Sequence, residues 1–294
     1  MKNLLIATTA LVATAGVAAA DVSLSGAANV GLINAGGTAE TVMYNNVSVT
    51  AAMSGETDGG LTFGASLTMR SGADVDLDVG DITIAANALG ATSLGNIYVS
   101  GGFGKLTFDN AGLDNLMDDA AANVQDVQYE GTFGALAVTL QADLDGSNTA
   151  ADGDWAAKAV YSANGVTITA VTNSGSEYDL TAAYAINDML SASVNLDSNG
   201  GTAAGADETI VKVAYANEGI TAALSIKDGV VGNEWAVALG YAANGLAVNV
   251  AVDDGGSEDL SASYDLGGGM SVLAGANEGA AGDRAFFIGS KMSF

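Results

Sequence analysis

The stretch Trp235-Ala236-Val237-Ala238-Leu239-Gly240-Tyr241-Ala242-Ala243-Asn244-Gly245 places a large apolar residue at every second position and stops at an Asn-Gly pair. Strict alternation is the mark of a β-strand with two unlike faces, and Asn-Gly is a strong hairpin signal. The same arrangement recurs through the chain. Tyr129, Tyr161, Tyr184, Tyr215, Tyr241 and Tyr264 each stand a few residues ahead of a Gly- or Asn-bearing turn, in the apolar phase of their strand. Thr209, Val211, Val213 and Tyr215 repeat the pattern of the opening stretch. Aromatic residues at one end of one face of many hairpins describe a ring. A ring of that kind at the edge of an apolar band is what a barrel sets at a membrane surface. The expected architecture is therefore an all-β transmembrane antiparallel barrel.

Composition removes other classes. Residues 1–20 read as a secretory signal peptide, with Lys2, an apolar stretch from Leu4 to Val17 and small residues Ala18-Ala19-Ala20 before the cleavage point. Residues 21–294 are expected to form one barrel domain. Mean hydropathy is +0.31, yet no later segment has the long uncharged run of a spanning helix. The apolar residues are dispersed by alternation instead. There is no cysteine, histidine or proline. Cys/His nucleophiles, Ser-His-Asp chemistry and ordinary zinc sites are thereby excluded, and no enzymatic activity is expected. A chain without proline suits continuous ladders, since each proline removes a backbone donor.

The charge is strongly acidic, 34 Asp and Glu against 8 Lys and Arg for a net −26, and loss of Lys2 on export makes it one unit more negative. Such acidity argues against a nucleic-acid partner. One strand (22–32), eight hairpins and a closing strand (284–294) give 18 strands. The weak segments 96–100 and 125–130 leave 16 open, and an even number is expected.

The phase opposite the tyrosines is small and polar. Thr62, Gly64, Ser66, Thr68 and Arg70 alternate with Leu61, Phe63, Ala65, Leu67 and Met69, and Thr221, Ala223, Ser225 and Lys227 with Ile220, Ala222, Leu224 and Ile226. A small, polar inner face suits a water-filled lumen better than a sandwich core. Trp155 and Tyr161, Tyr178 and Tyr184, and Trp235 and Tyr241 are each six residues apart. That spacing climbs only about 15 Å at a normal strand tilt, so the tryptophans are expected below the upper interface.

Gly102-Phe103-Gly104-Lys105-Leu106-Thr107 after a short strand resembles the region of Gram-negative general porins that leads into their constriction loop. Ser263-Tyr264-Asp265-Leu266-Gly267-Gly268-Gly269 and the terminal Lys291-Met292-Ser293-Phe294 look like the late hairpin and last strand of alphaproteobacterial porins of the Rhodobacter type. The resemblance spans residues 21–294. It implies a homotrimeric outer-membrane channel of 16 strands with an inward-folded third loop, inserted by the barrel-assembly machinery through Phe294. Carried over, the constriction loop is 110–123 with Asp114, Asp118 and Asp119, facing a basic wall. Candidates for that wall in the lumen phase are Arg70, Lys105, Lys158, Lys212 and Lys227. A cation facing lipid near the midplane costs about 2–4 kcal/mol, which favours placing them inside.

Two acidic loops, around Asp143 and Asp145 and around Asp253 and Asp254, have the carboxylate-and-glycine composition of hard-cation loops without the EF-hand spacing. Solvated loops are the simpler account. Calcium there would lower repulsion among the loops or bridge to lipopolysaccharide phosphates, and no other cofactor is implied. The scattered Gly-x-Gly pairs follow no strand-to-helix unit and carry no phosphate site. The expected function is passive diffusion of small hydrophilic solutes and ions with a preference for cations. Against it stand a non-conducting structural or adhesive barrel and a secreted soluble β-protein.

Overall fold

The computed structural model describes residues 21–77, 82–113, 116–117, 125–144, 154–198, 207–229, 232–279 and 282–294. The 1–20 segment read as a signal peptide lies outside them. Eighteen strands form one antiparallel sheet that closes on itself. The strands are β1 (Asp21–Asn34), β2 (Val42–Glu56), β3 (Thr62–Asp76), β4 (Thr83–Gly101), β5 (Gly104–Leu113) and β6 (Gln125–Phe133). There follow β7 (Leu136–Ala142), β8 (Trp155–Ala163), β9 (Val166–Asn173), β10 (Tyr178–Ala185), β11 (Leu190–Ser198) and β12 (Asp207–Asn217). The last are β13 (Ile220–Gly229), β14 (Gly232–Ala243), β15 (Leu246–Asp253), β16 (Glu258–Gly267), β17 (Met270–Glu278) and β18 (Arg284–Ser293). Each strand pairs with its sequence neighbours, and β1 with β18 seals the ring. At the seam the backbone of Phe294 both donates to and accepts from Gly26, at 2.8 and 3.1 Å. Closure leaves no free edge, which a bilayer requires because lipid offers no hydrogen-bond partner.

The count is 18, one of the two numbers the alternation left open. The weak segments are real strands. β6 is nine residues long, and β4 runs back from 96–100 to Thr83. Its early half shows no clear alternation because Ala85, Ala86, Ala88 and Ala91 give it little contrast. Register shifts against β3 break its period further.

The short turns fall at one end. Asn164-Gly165, Glu218-Gly219 and Asn244-Gly245 each have positive φ at both central positions (53° and 79°, 47° and 84°, 51° and 82°). That is the type I′ geometry whose twist matches the flanking strands. The end marked by these turns is called the turn end, and the opposite one the loop end.

The ring is uneven in height. β1 to β3 run 14 or 15 residues and β4 runs 19, while β5 to β18 run 7 to 12. With a tilt near 40°, a 15-residue strand rises about 35 Å and a nine-residue strand about 20 Å. β1 to β4 thus form a tall wall, which the shorter β18 adjoins through β1, and β5 to β17 form a low wall. Trp155 and Tyr178 begin β8 and β10, so on the low wall the six-residue spacing from aromatic to aromatic covers most of the strand.

Candidate functional site

The alternation resolves into outside and inside. Val211, Val213, Leu224, Leu239 and Val250 are exposed on the outer face. The six tyrosines stand on that face at the turn end of six of the nine strands that descend to it. Tyr161, Tyr184, Tyr241 and Tyr264 are about half exposed. The Tyr129 hydroxyl donates to the Phe103 carbonyl at 2.6 Å and ties neighbouring turns together.

The other phase lines the lumen. Arg70, Lys105, Lys158, Lys212 and Lys227 all lie in it, on β3, β5, β8, β12 and β13. Three of them hold carboxylates. Arg70 meets Asp74 at 3.2 Å, Lys105 meets Glu130 at 3.3 Å, and Lys227 bridges Glu208 and Glu234 at 3.2 and 2.9 Å. The Lys105 ammonium also sits 5.4 Å from the centre of the Tyr98 ring. Lys158 and Lys212 have no ion pair among the described residues. Alternation back from Phe294 adds a sixth lumenal cation, Lys291, opposite Asn29 and Ser271. The same count that placed the other five finds it.

Carboxylates gather in one row on the low wall. Asp179 on β10 stands opposite Asp197 on β11, and Asp197 opposite Glu208 on β12. Like charges directly opposite one another repel. Asn195 Nδ2 donates to Asp179 at 2.7 Å, and Lys227 holds Glu208, which compensates part of that repulsion. Beyond Lys227 the inner phase continues with Glu234 and, on β15 and β16, Asp253 and Asp259. Six carboxylates thus line the inner face of the low wall from β10 to β16 against two lysines, Lys227 and, in register with Asp253, Lys212.

Of the residues proposed for the constriction, Asp114, Asp118 and Asp119 lie outside the described residues. Their described neighbours Leu116 and Met117 rest against the inner wall. Leu116 N donates to Gln141 Oε1 at 3.2 Å, and Gln141 Nε2 in turn donates to Gln128 at 2.8 Å. Leu113, Met117 and Gln141 are all buried. Leu116 and Met117, the described residues between β5 and β6, therefore lie on the lumen side of the wall.

A second segment also turns inward, and alternation alone did not show it. Gly72, with φ of 109°, breaks β3 away from β2, and a Cβ there would meet the Asn45 carbonyl at 2.3 Å. Beyond it Ala73, Val75, Leu77, Ile82 and Ile84 pack on Ile33, Tyr44, Leu273, Ala285 and Phe287 of the inner wall. Asn29 donates to Asn46 at 2.9 Å and Asn46 to the Ala73 carbonyl at 3.0 Å, anchoring the base of this hairpin. Its clue was apolar residues in a phase that is otherwise small and polar: Ile33, Tyr44, Leu273 and Phe287.

For calcium, Asp145 lies outside the described residues. Asp253 Oδ1 accepts from Ser257 N at 2.8 Å and caps its own turn, and Asp254 Oδ1 accepts from Trp235 N at 3.1 Å and ties that turn to β14. The Asp143 amide donates to the Asp154 carbonyl at 2.9 Å. Among the described residues no group of three or more acidic side chains is arranged to hold a metal.

A closed antiparallel ring that is apolar outside, polar and charged inside, and narrowed by inward segments is a transmembrane β-barrel of the channel-forming class. The model of the Gram-negative porin family matches residues 7–188, and the chain belongs to that family. Solved structures similar to it include mutants of the Rhodopseudomonas blastica porin. One triple mutant has a TM-score of 0.58 at 21% identity, and a variant with five substitutions has 0.58 at 22%. Each match covers 93% of this chain and 100% of the other. No curated protein matches the chain in sequence. Family and fold together support an outer-membrane channel.

Proposed function

We propose that the protein is a cation-preferring diffusion channel for small hydrophilic solutes and ions, working by size exclusion at the inward segments and by the sign of the lumen charge. The observation that carries the preference is the carboxylate row Asp179, Asp197 and Glu208, continued by Glu234, Asp253 and Asp259, six acids against the two lysines Lys212 and Lys227. These charges line the path itself. Charges on distant loops count for less, being screened within about 8 Å at physiological salt. Removal of residues 1–20 on export, reading of Phe294 by the assembly machinery, trimer formation and contact with lipopolysaccharide belong to the same proposal. They rest on the family likeness.

The test is planar-bilayer current from refolded residues 21–294, with reversal potential in a potassium chloride gradient. Stepwise openings with a reversal potential of cation sign are expected, and anion preference sinks the selectivity. A barrel that never conducts sinks the channel.

A further inference from the structure

Beneath the inward hairpin lies a cavity of about 330 Å³, at the lower limit of the size typical of small-molecule sites. Val75 and Leu77 of the hairpin line one side, with Leu273 and Phe287 of the wall on the other. Asn29, Ser261, Ser263 and Lys291 supply its polar part. Two features separate this place from the rest of the lumen. It gathers Val75, Leu77, Leu273 and the Phe287 ring around one space, in a channel whose inner phase is mostly small and polar. Beside them stands an ammonium that, like those of Lys158 and Lys212, has no ion pair among the described residues. Of the three it alone lines a cavity with the hairpin's Val75 and Leu77 and the Phe287 ring.

We infer that this cavity is a solute-binding site for small organic monocarboxylates with an apolar body, the carboxylate on Lys291 and the body between Leu77, Leu273 and Phe287. The chemistry selects that class from both sides. Chloride and inorganic phosphate engage the ammonium but gain nothing from the apolar walls, which a strongly hydrated ion would have to desolvate against. A neutral apolar solute gains from the walls but leaves the ammonium unpaired. An aromatic or short aliphatic carboxylate satisfies both. The site would let an otherwise cation-preferring channel admit one class of organic anion. It rests on the channel reading only in that the solute reaches the lumen through water.

Equilibrium dialysis of benzoate against the folded, detergent-solubilised barrel reads binding without any need for conduction. Saturable binding is expected, about tenfold or more tighter than benzyl alcohol, because a hydrogen bond to a charged group contributes about 1.5–3 kcal/mol. Lys291→Gln should weaken benzoate by a similar factor and leave benzyl alcohol unchanged. Absence of saturable binding overturns the proposal, as does equal affinity for benzoate and benzyl alcohol. The two-ligand comparison uses the natural chain, so it stands even if Lys291→Gln fails to fold. Bilayer current separates this proposal from the channel reading: a barrel that binds benzoate but never conducts keeps the site and loses the channel, and one that conducts without binding loses the site.

Discussion

The tall wall, β1 to β4 with its neighbour β18, and the low wall, β5 to β17, use the same two-residue period to different ends. On the low wall from β8 to β13 the inner phase reads Lys158, Thr169, Thr181, Ser193, Lys212 and Ser225, polar side chains that suit water. At its margins Gln141 lies under Leu116 and Leu273 under the hairpin. On the tall wall the loop-end half carries Ile33, Tyr44 and Phe287 on the inner face as well, and a hairpin covers them. The period therefore specifies two faces, while the identity of the inner residues tells whether protein or water lies against them.

If the covered face of the tall wall is a true core, its substitutions should be the costliest in the barrel. Phe287→Ala removes a buried ring and leaves a cavity, for about 3–5 kcal/mol by the usual range. Reversible urea unfolding in detergent micelles measures it. A change at a wet inner position such as Thr169→Ser should stay within about 0.5 kcal/mol, as for other solvent-facing sites. Equal losses at the two positions would erase the distinction between the walls.

The next largest effect tests the assignment of outside and inside on the low wall alone. Val237→Lys places a charge on the lipid face near mid-height, at about 2–4 kcal/mol. The neighbouring Ala238→Lys points into the lumen and should fold almost normally. Similar destabilisation of both variants would show that the low wall is not wet.

The comparison also shows what could be read beforehand. Tyr161, Tyr215 and Tyr241 with their Asn-Gly or Glu-Gly turns set hairpin positions and the turn end, because local periodicity and turn chemistry act over a few residues. The inward hairpin was not legible in that way. Its cause is a single backbone conformation at Gly72 together with partners as distant as Phe287, and neither leaves a local pattern. Early β4 was hidden by its alanines, which give no contrast between faces. The acid row was spelled out as separate aspartates and glutamates, but only the β10–β11–β12 register brings Asp179, Asp197 and Glu208 side by side.

That row gives a smaller effect, electrical and not structural. Asp179→Asn with Glu208→Gln should move the reversal potential toward zero in the potassium chloride gradient. The same pair of neutralisations on Asp74 and Glu278, a hairpin acid held by Arg70 and a loop-end acid held by Arg284, should move it less. A larger shift from the second pair would mean that the selectivity does not reside in the acid row.

The smallest effect comes from the Lys105–Glu130 pair on the low-wall side. Both side chains are 43% exposed, so water screens them. A double-mutant cycle with Lys105→Gln and Glu130→Gln should give a coupling of about 0.2–1 kcal/mol. Lys105 keeps the Tyr98 ring when Glu130 is neutralised, and that contact contributes about 0.5–1 kcal/mol at an exposed site. The cycle therefore reports the ion pair separately from the ring. A coupling several times larger would mean that this part of the lumen excludes water, and the low wall would then be covered at the turn end as the tall wall is at the loop end.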